Sequence, residues 1–302
     1  MTTDTIKSVL IAGATGYLGK YAVQAFKQRG YYVRVLTRSE ERLFEPGPFT
    51  APALTRDDMD DVFVGEITDP STLTGMLDGI DMVFSCVGIS RQRDGLTFEQ
   101  VDYQCNKNLI DLCKSSDGTD VKRFTYVSMQ GAENIMQMAI TQAHEKVVDD
   151  LKASGMEYRI VRPCGYFSDM GAIYDMAKKG RVFLVGKGLN LMSPIHGRDL
   201  GIACAEIAEG DELEAEAGGP ETMTQLEAAE MVFDVLGKTP KITVIPMWLA
   251  RGLVKIVGVL STQLGDLADF IVTAGDIDGV GPVRGQTTLR SYFEDMKAAD
   301  AE

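Results

Sequence analysis

The residues with the clearest chemical meaning lie near the start of the chain. Gly13-Ala-Thr-Gly16-Tyr-Leu-Gly19 follows a short apolar run, Ser8–Ala12, and opens a helical pattern over Leu18–Gln28. A glycine triplet alone is weak, but strand, loop and helix in this order form the setting in which it holds a dinucleotide. Gly13 permits the tight turn, Gly16 lets the backbone approach a pyrophosphate, and Gly19 lets the helix pack close to the strand. The helix N-terminus then offers N–H groups and a partial positive charge to the phosphates. A second strand, Tyr32–Thr37, leads into Arg38, with Arg42 one helical turn further on. An NAD site usually places Asp or Glu there for the ribose hydroxyls. A guanidinium suits a 2′-phosphate instead. These residues predict NADP(H) as the cofactor.

The elements that must position this loop alternate along the first half. Val62–Val64, Met82–Cys86, Arg123–Ser128 and Tyr158–Arg162 read as further strands. Helical segments fall near Ser71–Leu77, Phe98–Ser115 and Thr141–Ala153, the second opened by a Thr97/Gln100 capping box. The pattern predicts an α/β, Rossmann-type doubly wound parallel sheet. Glu45–Asp60, rich in proline and acidic residues, reads as an exposed insertion. Beyond Arg162 the rhythm loosens, with helices at Gly171–Lys178, Asp199–Ala208 and Leu226–Leu236 and a Thr224/Glu227 capping box. The expected division is an NADP-binding domain over residues 1–162 and a smaller substrate-binding lobe over 163–302, folded onto it.

Composition removes several function classes. The chain has 302 residues, with 30 Lys and Arg against 44 Asp and Glu, a net charge of -14. That field repels phosphate backbones and anionic membranes, although a local basic patch can still hold a phosphate. Five cysteines without CxxC spacing and two histidines speak for free thiols and against a metal centre. The N-terminus does not read as a signal peptide. Met247–Leu264 is the most apolar stretch but contains Arg251 and Lys255, short of a clean span. A cytoplasmic monomer or homodimer without nucleic-acid binding or membrane insertion is expected.

At this point the chain resembles a family, the atypical, extended short-chain dehydrogenase/reductases of the NmrA-like branch. The shared elements are GATGYLGK at Gly13–Lys20, VDYQCNKNLIDLC at Val101–Cys113, KRFTYVS at Lys122–Ser128 and SGMEYRIVRP at Ser154–Pro163. PIHGRDLG at Pro194–Gly201 and GGPETMT at Gly218–Thr224 continue the match, and the second half is similar to the divinyl chlorophyllide reductase group. The resemblance implies that Thr15, Tyr17 and Leu18 touch the cofactor and that Glu66 stands beside the adenine. It places Val87 and Gly88 under the dinucleotide and Ser128 at the catalytic Ser position. Pro163, Cys164 and Gly165 fall where the chain passes the nicotinamide.

One departure matters. Family members carry Tyr-x-x-x-Lys on the helix after Ser128, the Tyr donating a proton and the Lys lowering its pKa. Here Ile140 holds the Tyr position and His144 the Lys position. His144 shares a helix face with Val147, Val148 and Leu151, with Glu145 and Lys146 expected to point away. His144 either contacts the nicotinamide ribose and relays a proton, or is a buried histidine that fixes the helix.

Other candidates carry bland readings beside sharp ones. Arg91 and Arg93 sit in the loop after the fourth strand, near the ligand-binding ends, and either greet an anionic substrate or are solvated. Tyr166, Phe167 and Met170 are expected to line the substrate pocket. Asp199 is placed to cap the helix after it, and His196 to bond nearby backbone. Trp248–Leu260 reads as core by default, with a lid or a dimer interface as alternatives. Two functions remain open. One is an NADPH-dependent reductase of a hydrophobic or conjugated molecule, working without the Tyr–Lys pair. The other is a non-catalytic NADP-binding sensor.

Overall fold

A computed structural model describes residues 6–88, 96–115 and 121–301. The first strands form around short runs rich in apolar and β-branched residues, suited to a sheet covered on both faces, with charged residues such as Arg34, Arg123 and Arg159 interspersed. They are β1 (Ser8–Ala12), β2 (Tyr32–Thr37), β3 (Asp61–Val64), β4 (Met82–Ser85), β5 (Arg123–Val127) and β6 (Glu157–Pro163). Beyond them come β7 (Val182–Val185), β8 (Leu191–Met192), β9 (Glu214–Ala217), β10 (Met223–Thr224) and β11 (Ile242–Ile245). A seven-stranded parallel sheet runs β3-β2-β1-β4-β5-β6-β9, so the order in which strands are added switches sides between β1 and β4. Ligands bind at such a switch point, beyond the carboxyl ends of the strands.

The helices are α1 (Tyr17–Gln28), α2 (Glu41–Phe44), α3 (Asn106–Lys114), α4 (Ala139–Ala153) and α5 (Phe167–Lys178). They continue with α6 (Gly197–Glu209), α7 (Gln225–Leu236), α8 (Met247–Leu260), α9 (Thr262–Ala274) and α10 (Leu289–Ala299). α1 and α6 cover one face of the sheet, burying Leu18, Phe26, Leu200 and Ile207 on β1 and β2 residues. α3 and α4 cover the other, through Leu109, Val147, Val148 and Leu151. The doubly wound arrangement expected from the sequence is therefore present. Its last strand, β9, and its covering helix α6 come from chain beyond residue 162. A smaller core joins α5, α7 and α10 through Phe167, Tyr174, Phe233 and Phe293. Both expected capping boxes form: Gln100 N donates to Thr97 Oγ1 at 3.2 Å and Glu227 N to Thr224 Oγ1 at 3.1 Å.

Three expectations are corrected. Ser71–Leu77 is not a helix, because only one 3₁₀ turn forms at Pro70–Leu73 before Gly75 takes φ +78° and ends it. Glu45–Asp60 is not an exposed insertion, since Leu54 and Met59 enter the main core and Ala51 packs with Tyr17 and Tyr21. The buried Lys20 amine holds the start of this segment, donating to the carbonyls of Leu43 at 2.6 Å and Glu45 at 2.7 Å. Trp248–Leu260 is not core either, because α8 rests mainly on α9 and leaves Trp248, Leu253, Ile256 and Val259 exposed.

The closest packing lies at the glycine loop. A Cβ on Gly19 would stand 2.0 Å from the Gly13 carbonyl oxygen, a contact that neither backbone can yield. Gly19→Ala should therefore cost at least about 2 kcal/mol of stability, measurable as a lowered urea midpoint with an unchanged slope.

Candidate functional site

The glycine loop joins β1 to α1. Gly13 adopts φ +92° against the backbone of Cys86, a conformation that L side chains rarely take. Gly16 donates its N–H to the Gly13 carbonyl at 3.0 Å and caps α1 without a side chain. The first-turn N–H groups of α1 thus have no side-chain acceptor at the cap, and they open toward the switch point. This arrangement fits a pyrophosphate. Thr15 is half-exposed beside it. The side chains of Tyr17 and Leu18 are committed elsewhere. The Tyr17 hydroxyl accepts from Gly197 N at 2.9 Å, and Leu18 lies in the core. Only their backbone remains for a ligand.

Arg38 leaves the end of β2 about half-exposed and pairs with Glu66, beyond the end of β3, at 3.8 Å. The two residues singled out for the adenosine end therefore stand together. On the other side of β1, Val87 and Gly88 follow β4. Val87 O accepts from Asn106 Nδ2 at 3.1 Å, and Gly88 is exposed. A Cβ on Gly88 would come within 2.8 Å of Asp102 Oδ1 and 3.8 Å of His144 Nε2. Glycine here lets the strand end lie directly against those two groups.

His144 is engaged at both ring nitrogens. Nδ1 lies 2.8 Å from the Tyr126 hydroxyl and Nε2 lies 3.2 Å from Asp102 Oδ1. The His144 side chain is 12% exposed and that of Asp102 only 1%. Burial, and then the Asp102 carboxylate, push the Tyr126 phenol well above its ordinary pKa, so it is a neutral hydrogen-bonding group. Asp102 reaches the site from a π-helical turn, Glu99–Cys105, which precedes α3. Such turns often occur where a side chain must be re-aimed. Asn106 secures it, donating to Asp102 O at 2.7 Å and accepting from Ser85 Oγ at 2.5 Å.

Ser128 belongs to a second network. Its hydroxyl donates to Glu145 Oε1 at 2.9 Å, and Glu145 is paired with Arg162 at 2.7 and 3.0 Å. Arg162 also meets Glu214 at 3.0 Å. Burial opposes the guanidinium's charge, but Glu145 and Glu214 hold its pKa above the ordinary value. Glu145, expected to point away, instead turns inward, because β6 carries Arg162 to that edge of α4.

Pro163 is buried and its carbonyl accepts from Gln130 N at 3.2 Å. Cys164 follows, its thiol pushed by burial up to about 11. Gly165 then takes φ +113°, which turns the chain into α5. Tyr166 is half-buried, its ring edge-on to Tyr17 at 6.2 Å. Phe167 is not a pocket wall. It is 1% exposed, against His196 and Tyr292, because it opens α5 on the lobe's core face. Met170 packs half-buried on the same core. His196 caps α6 by accepting from Arg198 N at 3.1 Å. Asp199 does not cap that helix. Its Oδ2 accepts from Gln286 N and Thr287 N, both at 2.7 Å. Arg91 and Arg93 lie outside the described residues.

Sequence reasoning missed Tyr126, Asp102, Asn106 and Arg162. One signal was available. Asp102 and Asn106 share a helical face with Leu109 and Cys113, so two polar residues occupy core-facing positions. The pairing predicts non-additive energetics. His144→Ala, which strips the buried Tyr126 hydroxyl of this partner, should cost about 1–3 kcal/mol. Adding Tyr126→Phe should recover part of that loss in urea unfolding, whereas additive losses would dissolve the pair.

Comparison with known proteins agrees with this geometry. The family described as NAD(P)H-binding matches residues 13–189. Divinyl chlorophyllide a 8-vinyl-reductase of Zea mays, a chloroplastic protein, is 25% identical over 318 residues, covering 95% of this chain and 78% of that protein. The photosystem II assembly factor Ycf39 of Trieres chinensis is 24% identical over 255 residues, covering 83% and 76%. Among solved structures, the NADPH complex of the quinone oxidoreductase QOR2 of Escherichia coli superposes with a TM-score of 0.73 at 20% identity. It covers 96% of this chain and 99% of that one.

Proposed function

This chain belongs to the NAD(P)H-binding family, within the atypical short-chain dehydrogenase/reductases, and from that premise we propose that it is an NADPH-dependent reductase of a hydrophobic, conjugated small molecule. The observation that carries this reading is the apolar side chain at the position where family members keep their acid. Ile140 is buried among Phe98, Ile135, Met138 and Ala143, with Phe270 against the same cluster. A simple ketone reduced there would develop an alkoxide facing hydrocarbon, with no donor from that position. An activated C=C bond makes a smaller demand, since its second carbon takes a proton from water or a weak acid. The names of two similar proteins, a vinyl reductase and a quinone oxidoreductase, support this choice of acceptor.

When bound, the reduced nicotinamide supplies the hydride. The chain binds and orients. Gly13, Thr15, Gly16 and the backbone of Tyr17, Leu18 and Gly19 hold the pyrophosphate in this reading. Arg38 takes the 2′-phosphate, exchanging its contact with Glu66, which stays beside the adenine. Val87 and Gly88 lie beneath the dinucleotide, and Ser128, His144, Pro163 and Gly165 border its nicotinamide end. His144 is a positioning residue, since Tyr126 and Asp102 occupy both its nitrogens. Among the described residues, Tyr166 is the candidate kept for substrate contact.

Two measurements test the reading. Arg38→Ala should weaken NADPH binding by about tenfold or more, about 1.4 kcal/mol, and leave NADH binding nearly unchanged in calorimetric titration. With wild-type protein, NADPH oxidation should proceed with enones or quinones and be at least about a hundredfold slower in kcat/KM with a saturated ketone of similar size. Cofactor that binds but is not oxidised by any of these acceptors would favour the second reading, a non-catalytic NADP-binding sensor. The missing acid and the similarity to an assembly factor both point that way.

A further inference from the structure

The α8–α9 hairpin presents the largest run of exposed apolar side chains on the described molecule. The two helices lie on each other where Gly258 meets Gly265; a Cβ on Gly265 would fall 2.5 Å from the Gly258 Cα. With the backbones this close, their large side chains project outward. Trp248 is 75% exposed, Ile256 61% and Val259 87%, with Leu253 also open; Leu264 and Ile271 of α9 are exposed as well.

The spacing decides what kind of surface this is. Trp248, Gly252, Ile256 and Val259 recur at steps of four, four and three, so they form one stripe along the whole of α8. At 14 residues the helix is about 21 Å long. A straight stripe of that length meets a flat partner better than it fills a cleft. Arg251 and Lys255, both exposed and four residues apart, border the stripe. Met247–Leu260 contains no acidic residue and carries two positive charges, whereas α9 carries Asp266 and Asp269, so in a chain of net charge -14 the local basic patch that could meet an anionic surface is confined to α8. A tryptophan at one end, basic residues at the border and aliphatic side chains between make up the composition of a helix lying in a membrane interface. No described helix is long and apolar enough to cross a bilayer. A second copy is a poorer partner, because two-fold pairing of this face would bring Arg251 and Lys255 toward their own counterparts.

We propose that the α8–α9 hairpin docks the protein onto the surface of an anionic lipid bilayer. α8 lies in the headgroup plane, with Trp248, Ile256 and Val259 at the acyl boundary and Arg251 and Lys255 on lipid phosphates. The docking stands without the reductase reading. One consequence rests on that reading: Phe270 of α9 packs on the Ile140 cluster, so a docked hairpin would join the bilayer to the residues around Ile140.

Trp248 is the sole tryptophan of the chain and reports directly on this contact. The full-length protein should co-sediment with phosphatidylcholine vesicles containing phosphatidylglycerol, with a blue shift of its emission, and should do neither with phosphatidylcholine alone. Arg251→Glu with Lys255→Glu should lower partitioning at least about tenfold. Val259→Asp should lower it as well, and both variants should keep the wild-type thermal midpoint, because the altered side chains are exposed. Absence of binding to the anionic vesicles overturns the proposal, as does unchanged binding by the charge-reversed variant. A dimer mass in light scattering that Val259→Asp reduces to a monomer would assign the face to a second copy instead. NADPH oxidation in detergent, measured separately, keeps failure of the docking distinct from failure of the reductase reading.

Discussion

The first turn of α1 touches the loop after β1 backbone to backbone, and the rest of the molecule is arranged around that contact. Four consecutive residues each reach a different region. Tyr17 sends its hydroxyl to Gly197, at the start of α6. Leu18 enters the main core, and Gly19 closes on Gly13. Lys20 runs into the segment after β2 and binds its carbonyls. Burying an ammonium is costly, and burial lowers the Lys20 pKa; the carbonyl contacts offset that cost. One helical turn thus fixes the phosphate-facing backbone, the covering helix of the sheet and the segment that closes beside it.

The helix α4 carries a comparable constraint through polar contacts. Adjacent residues serve two networks, His144 with Tyr126 and Asp102, and Glu145 with Ser128 and Arg162. Rotating the helix by one residue would leave buried polar groups without partners on both sides, which is costly. Apolar packing on Val147, Val148 and Leu151 alone would tolerate more slippage. The polar pairs therefore set the register with which α4 meets the strand ends.

Much of the cofactor half was legible because its signals are local. β1 and β2 were legible to the residue, since β1 is an apolar run ended by a glycine turn and β2 a β-branched-rich run interrupted only by Arg34. The glycine loop was legible for the same reason. The short strands β7 to β11 were not, because no regular β/α alternation surrounds them as it does the equally short β3 and β4. Ser71–Leu77 misled because its apolar spacing was helical while Gly75 sits left-handed within it. The Tyr126–His144–Asp102 contact joins a strand, a helix and a π turn, so no linear spacing encodes it. The exposure of α8 was hidden because an apolar helix reads alike whether core or bilayer is its partner.

The position of β9 has a consequence for biosynthesis. This strand completes the sheet by pairing with β6, yet it lies some 50 residues later in the chain. A ribosome adding about 5–20 residues per second would need roughly 3–10 s to cover that interval. Through those seconds the nascent sheet would present an open parallel edge, which is a template for wrong pairing. Ordering of the early chain around its glycine loop would thus precede closure of the sheet, and the yield of folded protein would depend on how well the unpaired edge is shielded in the meantime.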